Sequence, residues 1–428
     1  MRTLFRNTFA AALAQLARAV VRKYHPTILM VTGSVGKTST KDAIAAALSE
    51  SFHVRKSDKG FNSDFGVPFT IMGVNNPWRS IPAWLGVFGE ALHLIFFPNH
   101  YPNMLVLEVG ADAPGDLARI LKIATPDAVV VTLLPSVPVH VEAYETPAAV
   151  REEEFAPAFA LAPHSPLIVA CEDEYAWNLS KKLDTHVSTF GTSEESTVRI
   201  TDIGAWMEGN TVRGMKANFT VDGVSHPFKV AGVFGRTQLN APAAALAAAL
   251  SLGVSVKAAL KGLETYLPPP GRGRLFKGIK NTLLIDDTYN SSPIAAEEIL
   301  KSLEFIPRST RRVAILGDML ELGRYSAAEH ARIGHIVKNA VDLLITVGLR
   351  AQGIGEAALA DGMPEGSVFA FNNSTEAAQA IADHLAENDV VLIKGSQGVR
   401  LERITKALLA DPHDSKDLVR QEKEWLKR

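Results

Sequence analysis

Short apolar runs alternate with stretches of helical periodicity along most of the chain. In the first half these runs are ILMVTG, MLVLEVG, AVVVTLL and PLIVACE, which begin at Ile28, Met104, Ala128 and Pro166. Strands that are apolar throughout and separated by helices are typical of a parallel sheet covered on both faces. The pattern therefore predicts an α/β domain with a mostly parallel sheet.

The pattern changes over residues 185–230, where shorter alternating segments are separated by turn signals. This indicates a small antiparallel patch attached to the same domain. The stiff segment Pro268-Pro269-Pro270 precedes five further apolar runs separated by helical segments, which predict a smaller, Rossmann-like C-terminal domain. We therefore predict an N-terminal helix over residues 1–27, a P-loop central domain over 28–267 and the Rossmann-like domain over 268–428.

Two apolar segments could be mistaken for membrane signals. The first resembles a signal peptide, but Gln15 and Arg18 interrupt it and it leads directly into a strand, so we predict an amphipathic helix. The second, residues 81–98, is too short to span a bilayer and carries Glu90 and His93. A half-buried helix is the main interpretation, and a weak contact with a membrane interface or with an apolar part of the substrate is the alternative.

Charge and cysteine content exclude several classes of protein. The chain of 428 residues has 44 Lys and Arg against 46 Asp and Glu, so it has no bulk positive field for nucleic acid. The single cysteine, Cys171, allows neither an internal disulfide nor a cysteine-based zinc site. We therefore expect a cytoplasmic protein that binds no nucleic acid.

The clearest chemical signal is TGSVGKTST, which begins at Thr32, directly after a strand and before a helical pattern. In this context backbone N–H groups and a helix N-terminus surround phosphate oxygens, while Lys37 pairs with the β- and γ-phosphates and Thr38 holds Mg²⁺. The full motif would have its first glycine at position 31, where this chain has Val31. The predicted nucleotide-binding residues of this loop are Gly33, Ser34, Val35, Gly36, Lys37, Thr38 and Ser39.

Two further polar residues follow predicted strands. Glu108 ends an apolar strand, where a carboxylate is costly unless it meets a metal or another partner. His140 follows the next strand and is a candidate metal ligand. Each is a weak signal by itself, and a structural role is the alternative for both.

Together these motifs resemble the Mur ligase family of ATP-dependent amide-bond ligases. TGSVGKTSTKD, FNSDFGVP and LEVGADAPGDL are similar to its nucleotide loop, second loop and metal-bearing strand, and GRTQLNAPAAA is similar to its adenine-side motif, with Asn240 at the base-contacting position. LLIDDTYNSSP, AILGDMLELGRYSAAEH and LIKGSQGVRLE are most similar to the members that add D-alanyl-D-alanine to a muropeptide in peptidoglycan synthesis.

The resemblance implies that ATP and Mg²⁺ activate a muropeptide carboxylate as an acyl phosphate, which the amine of an amino acid or dipeptide then attacks. It implies one Mg²⁺ on Thr38 and Glu108 and a second near His140. It also implies nucleotide contacts from Arg272, Asp287 and Asn290, closure of the second domain, and a monomer. For Arg272 and Asp287, an exposed linker arginine and a structural strand-end aspartate are the alternatives.

Three departures from the family pattern carry predictions. Only 31 residues precede the phosphate loop, so no separate uridine-binding domain is expected and the UDP group should contribute little to acceptor affinity. Thr237 stands beside Arg236 where the family has histidine. Glu154 stands where the family has a carbamylated lysine, and we predict that its carboxylate replaces the carbamate; a solvated acidic helix face is the alternative. The predicted catalytic residues are Lys37, Glu108, His140 and Glu154.

Other functions remain open on the sequence. Within the family, the acceptor could be a lipid-linked muropeptide, a folate-like glutamate or a polyamino acid. Outside it, the chain could be a P-loop ATPase that regulates without forming a bond.

Overall fold

A computed structural model describes residues 2–58, 60–78, 80–209, 211–422 and 425, with side chains described from residue 9 onward. The chain forms two compact units, residues 1–200, 219–225 and 240–267 in one and residues 201–218, 226–239 and 268–428 in the other. Within the described residues, no helix is both long enough and apolar enough to cross a bilayer.

The first part of the chain alternates helices and strands as its periodicity predicts. The elements are α1 (Arg2–Tyr24), β1 (Thr27–Thr32), α2 (Lys37–Leu48), β2 (Val54–Lys56), α3 (Gly66–Met72), α4 (Ile81–Phe96), β3 (Met104–Glu108), α5 (Asp116–Leu121), β4 (Ala128–Val131), α6 (Pro147–Phe159), β5 (Pro166–Ala170), α7 (Glu174–Ser180) and β6 (His186–Gly191). The strands β7 (Val198–Glu208), β8 (Thr211–Val221) and β9 (Val224–Ala231) and the helices α8 (Thr237–Ser251) and α9 (Val256–Leu263) follow.

These strands form one sheet in the order β2-β3-β1-β4-β5-β6-β7-β8-β9. Strand β1 pairs in parallel with β3 on one side and β4 on the other, with Val31 opposite Glu108 and Thr32 opposite Val131. The chain therefore moves to opposite sides of β1 after successive strands. In parallel sheets such a reversal of strand order leaves a crevice at the carboxyl ends of the strands, where ligands bind.

The antiparallel patch is smaller than the sequence pattern predicts. Strand β6 pairs in parallel with β5, so the prediction that antiparallel pairing begins near residue 185 is wrong. The patch consists of β7, β8 and β9, whose links of two residues permit only antiparallel pairing. Alternation of buried and exposed residues is weak in the short β6, so the sequence pattern of β6 does not indicate which strand it pairs with.

The rest of the chain forms a second α/β arrangement with its own apolar core. Its elements are β10 (Arg274–Lys277), β11 (Leu283–Asp287), α10 (Pro293–Ser302), β12 (Arg312–Gly317), α11 (Ser326–Ala340), β13 (Leu343–Val347), α12 (Gln352–Ala360), β14 (Val368–Phe371), α13 (Ser374–Ala380), β15 (Val390–Lys394) and α14 (Glu402–Leu408). The strand order is β10-β11-β15-β12-β13-β14. All five predicted strands are present, and only β10, which the sequence pattern missed, pairs antiparallel.

The two sheets confirm the predicted fold class, an α/β chain with a mostly parallel central sheet, an antiparallel patch and a Rossmann-like C-terminal region. The cores lie on the faces of the sheets. Ile28, Met30 and Leu107 are buried in the first, and Val313, Ile345 and Val391 in the second. Both cores therefore hold the carboxyl ends of their central strands rigidly, and these ends carry the candidate site residues.

Candidate active site

The loop between β1 and α2 forms a cradle of backbone N–H groups. Gly33 has φ +117° and Gly36 has φ +93°, conformations that glycine adopts without the strain of a side chain. A Cβ on Gly33 would collide with Thr132 Oγ1. None of the backbone N–H groups of residues 35–39 donates to another described residue, so they converge as free donors at the positive end of α2. This cradle suits phosphate oxygens.

Lys37 is the first residue of α2 and its side chain folds back over the loop. Its ammonium donates to the carbonyl oxygen of Gly33 and lies 3.8 Å from Glu154 Oε1. Asn62, from the predicted second loop, approaches the same place, since its carbonyl accepts from Gly110 N–H at 3.1 Å. A Cβ on Gly110 would lie 3.3 Å from Asn62 Nδ2 and 3.8 Å from Lys37 Nζ. The two sequence-predicted loops therefore meet at Lys37.

Thr38 and Glu108 are brought together as the sequence predicts. The Thr38 hydroxyl donates to Glu108 Oε1 at 3.0 Å, and both side chains are buried. Glu108 Oε2 is buried without a hydrogen-bond partner among the described residues and lies 3.7 Å from Lys41 Nζ. A hydroxyl and a carboxylate with an unsatisfied oxygen are the ligands that a hard cation prefers. The pair therefore fits Mg²⁺.

Lys41 is a functional candidate that the sequence reading missed. It is 2% exposed, and its ammonium donates to the carbonyl oxygen of Ser57 at 2.7 Å. The Ser57 hydroxyl in turn accepts from Glu108 N–H at 3.1 Å. Lys41 lies one helical turn after Lys37, and this i, i+4 spacing on a helix that begins at the loop is the signal that could have identified it.

The three consecutive glutamates of α6 have three different environments. Glu152 is exposed. Glu153 accepts from the N–H groups of Gly115 at 3.1 Å and Leu117 at 2.9 Å, which caps the N-terminus of α5. Glu154 is 1% exposed and accepts from the Ser34 hydroxyl of the phosphate loop. The alternative of a solvated acidic face therefore holds for Glu152 alone.

Burial raises the pKa of Glu154, while Lys37, the Ser34 hydroxyl and the charge of His140 act in the opposite direction. Its backbone carbonyl also accepts from the Thr32 hydroxyl at 2.6 Å. Both the main chain and the side chain of Glu154 are thus attached to the phosphate loop.

His140 lies near this cluster in a left-handed conformation, with φ +64°. Its Nε2 is 3.7 Å from Asp112 Oδ1, and Asp112 is a second residue that the sequence reading missed. No group of three or more His, Cys, Asp or Glu side chains in the described part of the chain is arranged to hold a metal. A cation near His140 would therefore need oxygen ligands from the substrate or water.

The second unit has its own polar cluster at the carboxyl ends of β11 and β15. Asp287 Oδ1 accepts from Gly273 N–H at 3.1 Å, and its Oδ2 is 2.7 Å from Lys394 Nζ. Lys394 is 2% exposed and also donates to the carbonyl oxygen of Asn290 at 3.0 Å. The sequence reading missed Lys394, although it ends a strand in LIKGSQG. Arg272 stacks over the Tyr289 ring at 4.2 Å.

A buried arginine stabilises the loop that follows Asp287 in this cluster. Arg420 is 3% exposed and donates to the carbonyl oxygens of Thr288 at 3.1 Å and Tyr289 at 2.6 Å, while Glu402 balances its charge at 2.9 Å. The loop that follows Asp287 is therefore fixed by a charged group more than 130 residues away in sequence.

The adenine-side motif is divided by the fold. Asn240 is an exposed residue of α8 in the first unit. Arg236 belongs to the second unit, where its guanidinium pairs with Glu304 at 2.5 Å and its N–H donates to Ser302 Oγ at 3.0 Å. The assignment of Asn240 to nucleotide contact stays a prediction.

Comparison with known proteins identifies the family. The Mur ligase middle domain matches residues 31–249, and the Mur ligase glutamate ligase domain matches residues 271–397. The UDP-N-acetylmuramoyl-tripeptide--D-alanyl-D-alanine ligase of Bacillus subtilis is 26% identical over 402 residues, which cover 94% of this chain and 80% of that protein. The ligase of the same name from Mycobacterium tuberculosis is 30% identical over 427 residues, covering 94% and 77%.

A solved structure agrees with this result. The MurF ligase of Thermotoga maritima in complex with ADP has a TM-score of 0.75 and 25% identity, and the match covers 93% of this chain and 83% of that one. The middle-domain match alone spans more than half of the chain and includes the phosphate loop, Glu108 and Glu154. The resemblance predicted from the motifs is confirmed: the chain belongs to the Mur ligase family.

Proposed function

We propose that the protein is an ATP-dependent ligase that joins the carboxylate of a muropeptide to the amine of D-alanyl-D-alanine or a similar donor in peptidoglycan precursor synthesis. The observation that carries this proposal is the phosphate cradle of residues 35–39 beside the Thr38–Glu108 pair. The relatives named above are ligases that add D-alanyl-D-alanine. Their similarity over nearly the whole chain supports the choice of donor.

The proposed reaction has two steps. First, an acceptor carboxylate oxygen attacks the γ-phosphorus of ATP, and the bond to the β–γ bridging oxygen breaks to give ADP and an acyl phosphate. Second, the donor amine attacks the acyl carbon through a tetrahedral intermediate. The new C–N bond forms as the C–O bond to phosphate breaks, inorganic phosphate leaves, and the nitrogen loses a proton.

The phosphate loop supplies the electrostatics of the first step. The free N–H groups of residues 35–39 bind phosphate oxygens, and Lys37 exchanges its contact with Gly33 for the β- and γ-phosphates. Thr38 and Glu108 would hold Mg²⁺, which when bound neutralises charge on the transferring phosphoryl group. Lys41 keeps the carboxylate of Glu108 oriented from its buried side.

Glu154 and His140 are proposed to serve the acceptor carboxylate. Glu154 brings a fixed carboxylate to the place where the family carries a carbamate, and its attachment to Ser34 and Lys37 couples it to the nucleotide loop. His140 and Asp112 are proposed to orient a second Mg²⁺ together with the substrate. Glu154 has a shorter arm than a carbamylated lysine, so a water molecule is proposed to complete the contact.

The remaining predicted nucleotide contacts belong to the proposal as well. Asn240 is assigned to the adenine, Arg272 to the phosphates, and Asp287 with Asn290 to the ribose. Asp287 keeps lone pairs for hydroxyl groups while it accepts from Gly273, because a carboxylate has about four acceptor positions. Lys394 holds the Asp287 carboxylate in its orientation and is a positioning residue in this scheme.

We propose that the enzyme works as a monomer in the cytoplasm. The single cysteine supports a reducing compartment, because a protein of this size that is exposed to oxidising conditions commonly carries disulfides.

ADP release from purified protein tests the function. It should require a muropeptide acceptor and an amine donor together, with D-alanyl-D-alanine preferred over D-alanine and L-glutamate, and the product should gain the donor's mass. Release that depends on a folate-like acceptor or on glutamate would identify another ligase of the family. ATP hydrolysis that is constant with and without both substrates would refute ligation and favour a regulatory ATPase.

A further inference from the structure

Helix α4 exposes a continuous apolar stripe to solvent. Ile81, Leu85, Leu92 and Phe96 are 76%, 69%, 47% and 72% exposed, and their spacing places them on one side of the helix. Trp78 before the helix, 70% exposed, extends the stripe at one end. Phe97, 57% exposed, extends it at the other end.

The opposite side of α4 is apolar as well. Val87, Ala91 and Leu94 are buried against the core of the first unit. A surface helix of a folded domain ordinarily carries polar residues on the side away from the core, whereas the one ionisable group of α4 besides His93 is Glu90. An exposed apolar area of this extent indicates an interaction surface, because single exposed apolar residues are common but continuous stripes are rare.

Helix α1 packs beside α4 and brings a basic residue to one end of this stripe. The two helices run side by side in the same direction, since the Phe9 ring lies 5.5 Å from the Trp84 ring and the Tyr24 hydroxyl donates to Leu94 O at 2.8 Å. At the end of the stripe, the Lys23 ammonium donates to the carbonyl oxygens of Leu94 at 2.8 Å and Phe97 at 2.6 Å.

The charge of α1 has a single sign. Helix α1 contains four arginines and one lysine and no acidic residue, and the first acidic residue of the whole chain is Asp42. Arg22 and Lys23, in the last turn of α1, are both exposed. A second copy of the chain would bring like charges together at the stripe, whereas an anionic surface would be attracted.

We propose that α4, flanked by the basic residues of α1, binds the surface of an anionic lipid bilayer. With 16 residues α4 is about 24 Å long, too short to span the hydrocarbon core, and its exposed stripe suits a helix that lies in the interface. The stripe enters the boundary between headgroups and acyl chains, the Trp78 ring lies at headgroup depth, and Lys23 with Arg22 contacts anionic headgroups. This inference goes beyond the ligase activity and does not depend on it.

Flotation with lipid vesicles tests the proposal. The wild-type protein should float with phosphatidylcholine vesicles that contain phosphatidylglycerol and bind at least about tenfold more weakly to phosphatidylcholine alone. The double variant Leu85→Ser, Phe96→Ser should lose at least about tenfold in affinity for the anionic vesicles. The control Val224→Ser, Leu349→Ser removes two side chains that are 57% and 79% exposed elsewhere and should bind like the wild type.

The electrostatic part has its own test. Arg22→Gln should weaken binding to anionic vesicles, and binding of the wild type should fall as salt rises, because exposed charges are screened. Thermal unfolding of each variant should match the wild type, since all these side chains face solvent. The proposal is overturned if the wild type does not bind anionic vesicles, or if the double variant Leu85→Ser, Phe96→Ser binds them as well as the control does. It is also overturned if light scattering shows that the wild type is a dimer and that this double variant is a monomer.

Discussion

Replacing Glu154 by Gln tests the most unusual feature of the proposed site. The substitution keeps the size of a side chain that is 1% exposed and keeps an acceptor for the Ser34 hydroxyl, but it removes the charge. We expect nucleotide affinity and turnover to change in opposite directions. Nucleotide should bind more tightly, and ligation should slow.

The magnitude follows from the distance to Lys37. At 3.8 Å the attraction between the two charges amounts to about 4 kcal/mol at an effective dielectric constant of about 20. A phosphate oxygen bound to Lys37 would lie roughly 6 Å from the same carboxylate, where repulsion is about 3 kcal/mol before screening by water. Even a third of this value corresponds to a roughly fivefold gain in ATP affinity when the charge is removed.

Stability should change little in the same variant. The Coulomb attraction to Lys37 is offset by the cost of burying the carboxylate, which is why burial raises the pKa of Glu154. We expect the free energy of unfolding to shift by no more than about 1 kcal/mol. In the wild type, acid should also reduce ligation as the carboxyl group gains a proton, and this part of the pH profile should be absent from Glu154→Gln.

The measurements are titration calorimetry with ADP, steady-state ligation across Mg²⁺ concentrations, and urea unfolding. Glu152→Gln is the matched control, because Glu152 belongs to the same acidic run but is exposed. Ligation by the wild type should not respond to bicarbonate, since a glutamate carboxylate needs no CO₂. If Glu154→Gln keeps the nucleotide affinity, turnover and Mg²⁺ requirement of the control, the proposed role of Glu154 is refuted.

Three further substitutions test other parts of the structure. Lys37→Ala should lower ATP turnover at least about a hundredfold, or about 2.7 kcal/mol, while the protein remains folded in circular dichroism; near-normal ligation would refute the phosphate-loop assignment. Gly33→Ala should abolish nucleotide binding in calorimetry, because its φ of +117° and the collision of its Cβ with Thr132 distort the loop; normal binding would contradict the cradle geometry. Burial raises the pKa of Asp286 from 3.8 to about 7, so the native state keeps a proton that the unfolded chain releases and the free energy of unfolding should fall as pH rises through that window. Asp286→Asn should flatten this fall in urea unfolding between about pH 4 and pH 8, and an unchanged slope would contradict it.

Local pattern was enough to predict most strands and the phosphate loop. A buried parallel strand is a continuous apolar run, and a glycine-rich loop between a strand and a helix has a recognisable composition, so both signals lie within about ten residues. The family resemblance implied that Thr38 and Glu108 share a cation; the structure places their oxygens 3.0 Å apart, and the cation stays a prediction. Motif order then identified the family.

Pairing between distant short strands could not be predicted in this way. Strand β6 was assigned to the antiparallel patch although it pairs in parallel with β5, and the four-residue β10 was not predicted at all. Short strands carry too few alternating positions to specify a partner. Their pairing is decided by which sheet edge the tertiary fold presents to them.

The sequence by itself determined the fold class, the family and the nucleotide loop, because apolar periodicity and loop composition are properties of neighbouring residues. Only the tertiary structure decided which environment and which partners each charged side chain has. It separates Glu152 in solvent, Glu153 on the N-terminus of α5 and Glu154 on the phosphate loop, and it pairs Lys394 with Asp287 across 107 residues. Whether a carboxylate is solvated, caps a helix or contacts a lysine depends on groups that the fold brings from distant parts of the sequence. When the carboxylate is buried, its pKa depends on those contacts, because water no longer stabilises the charge.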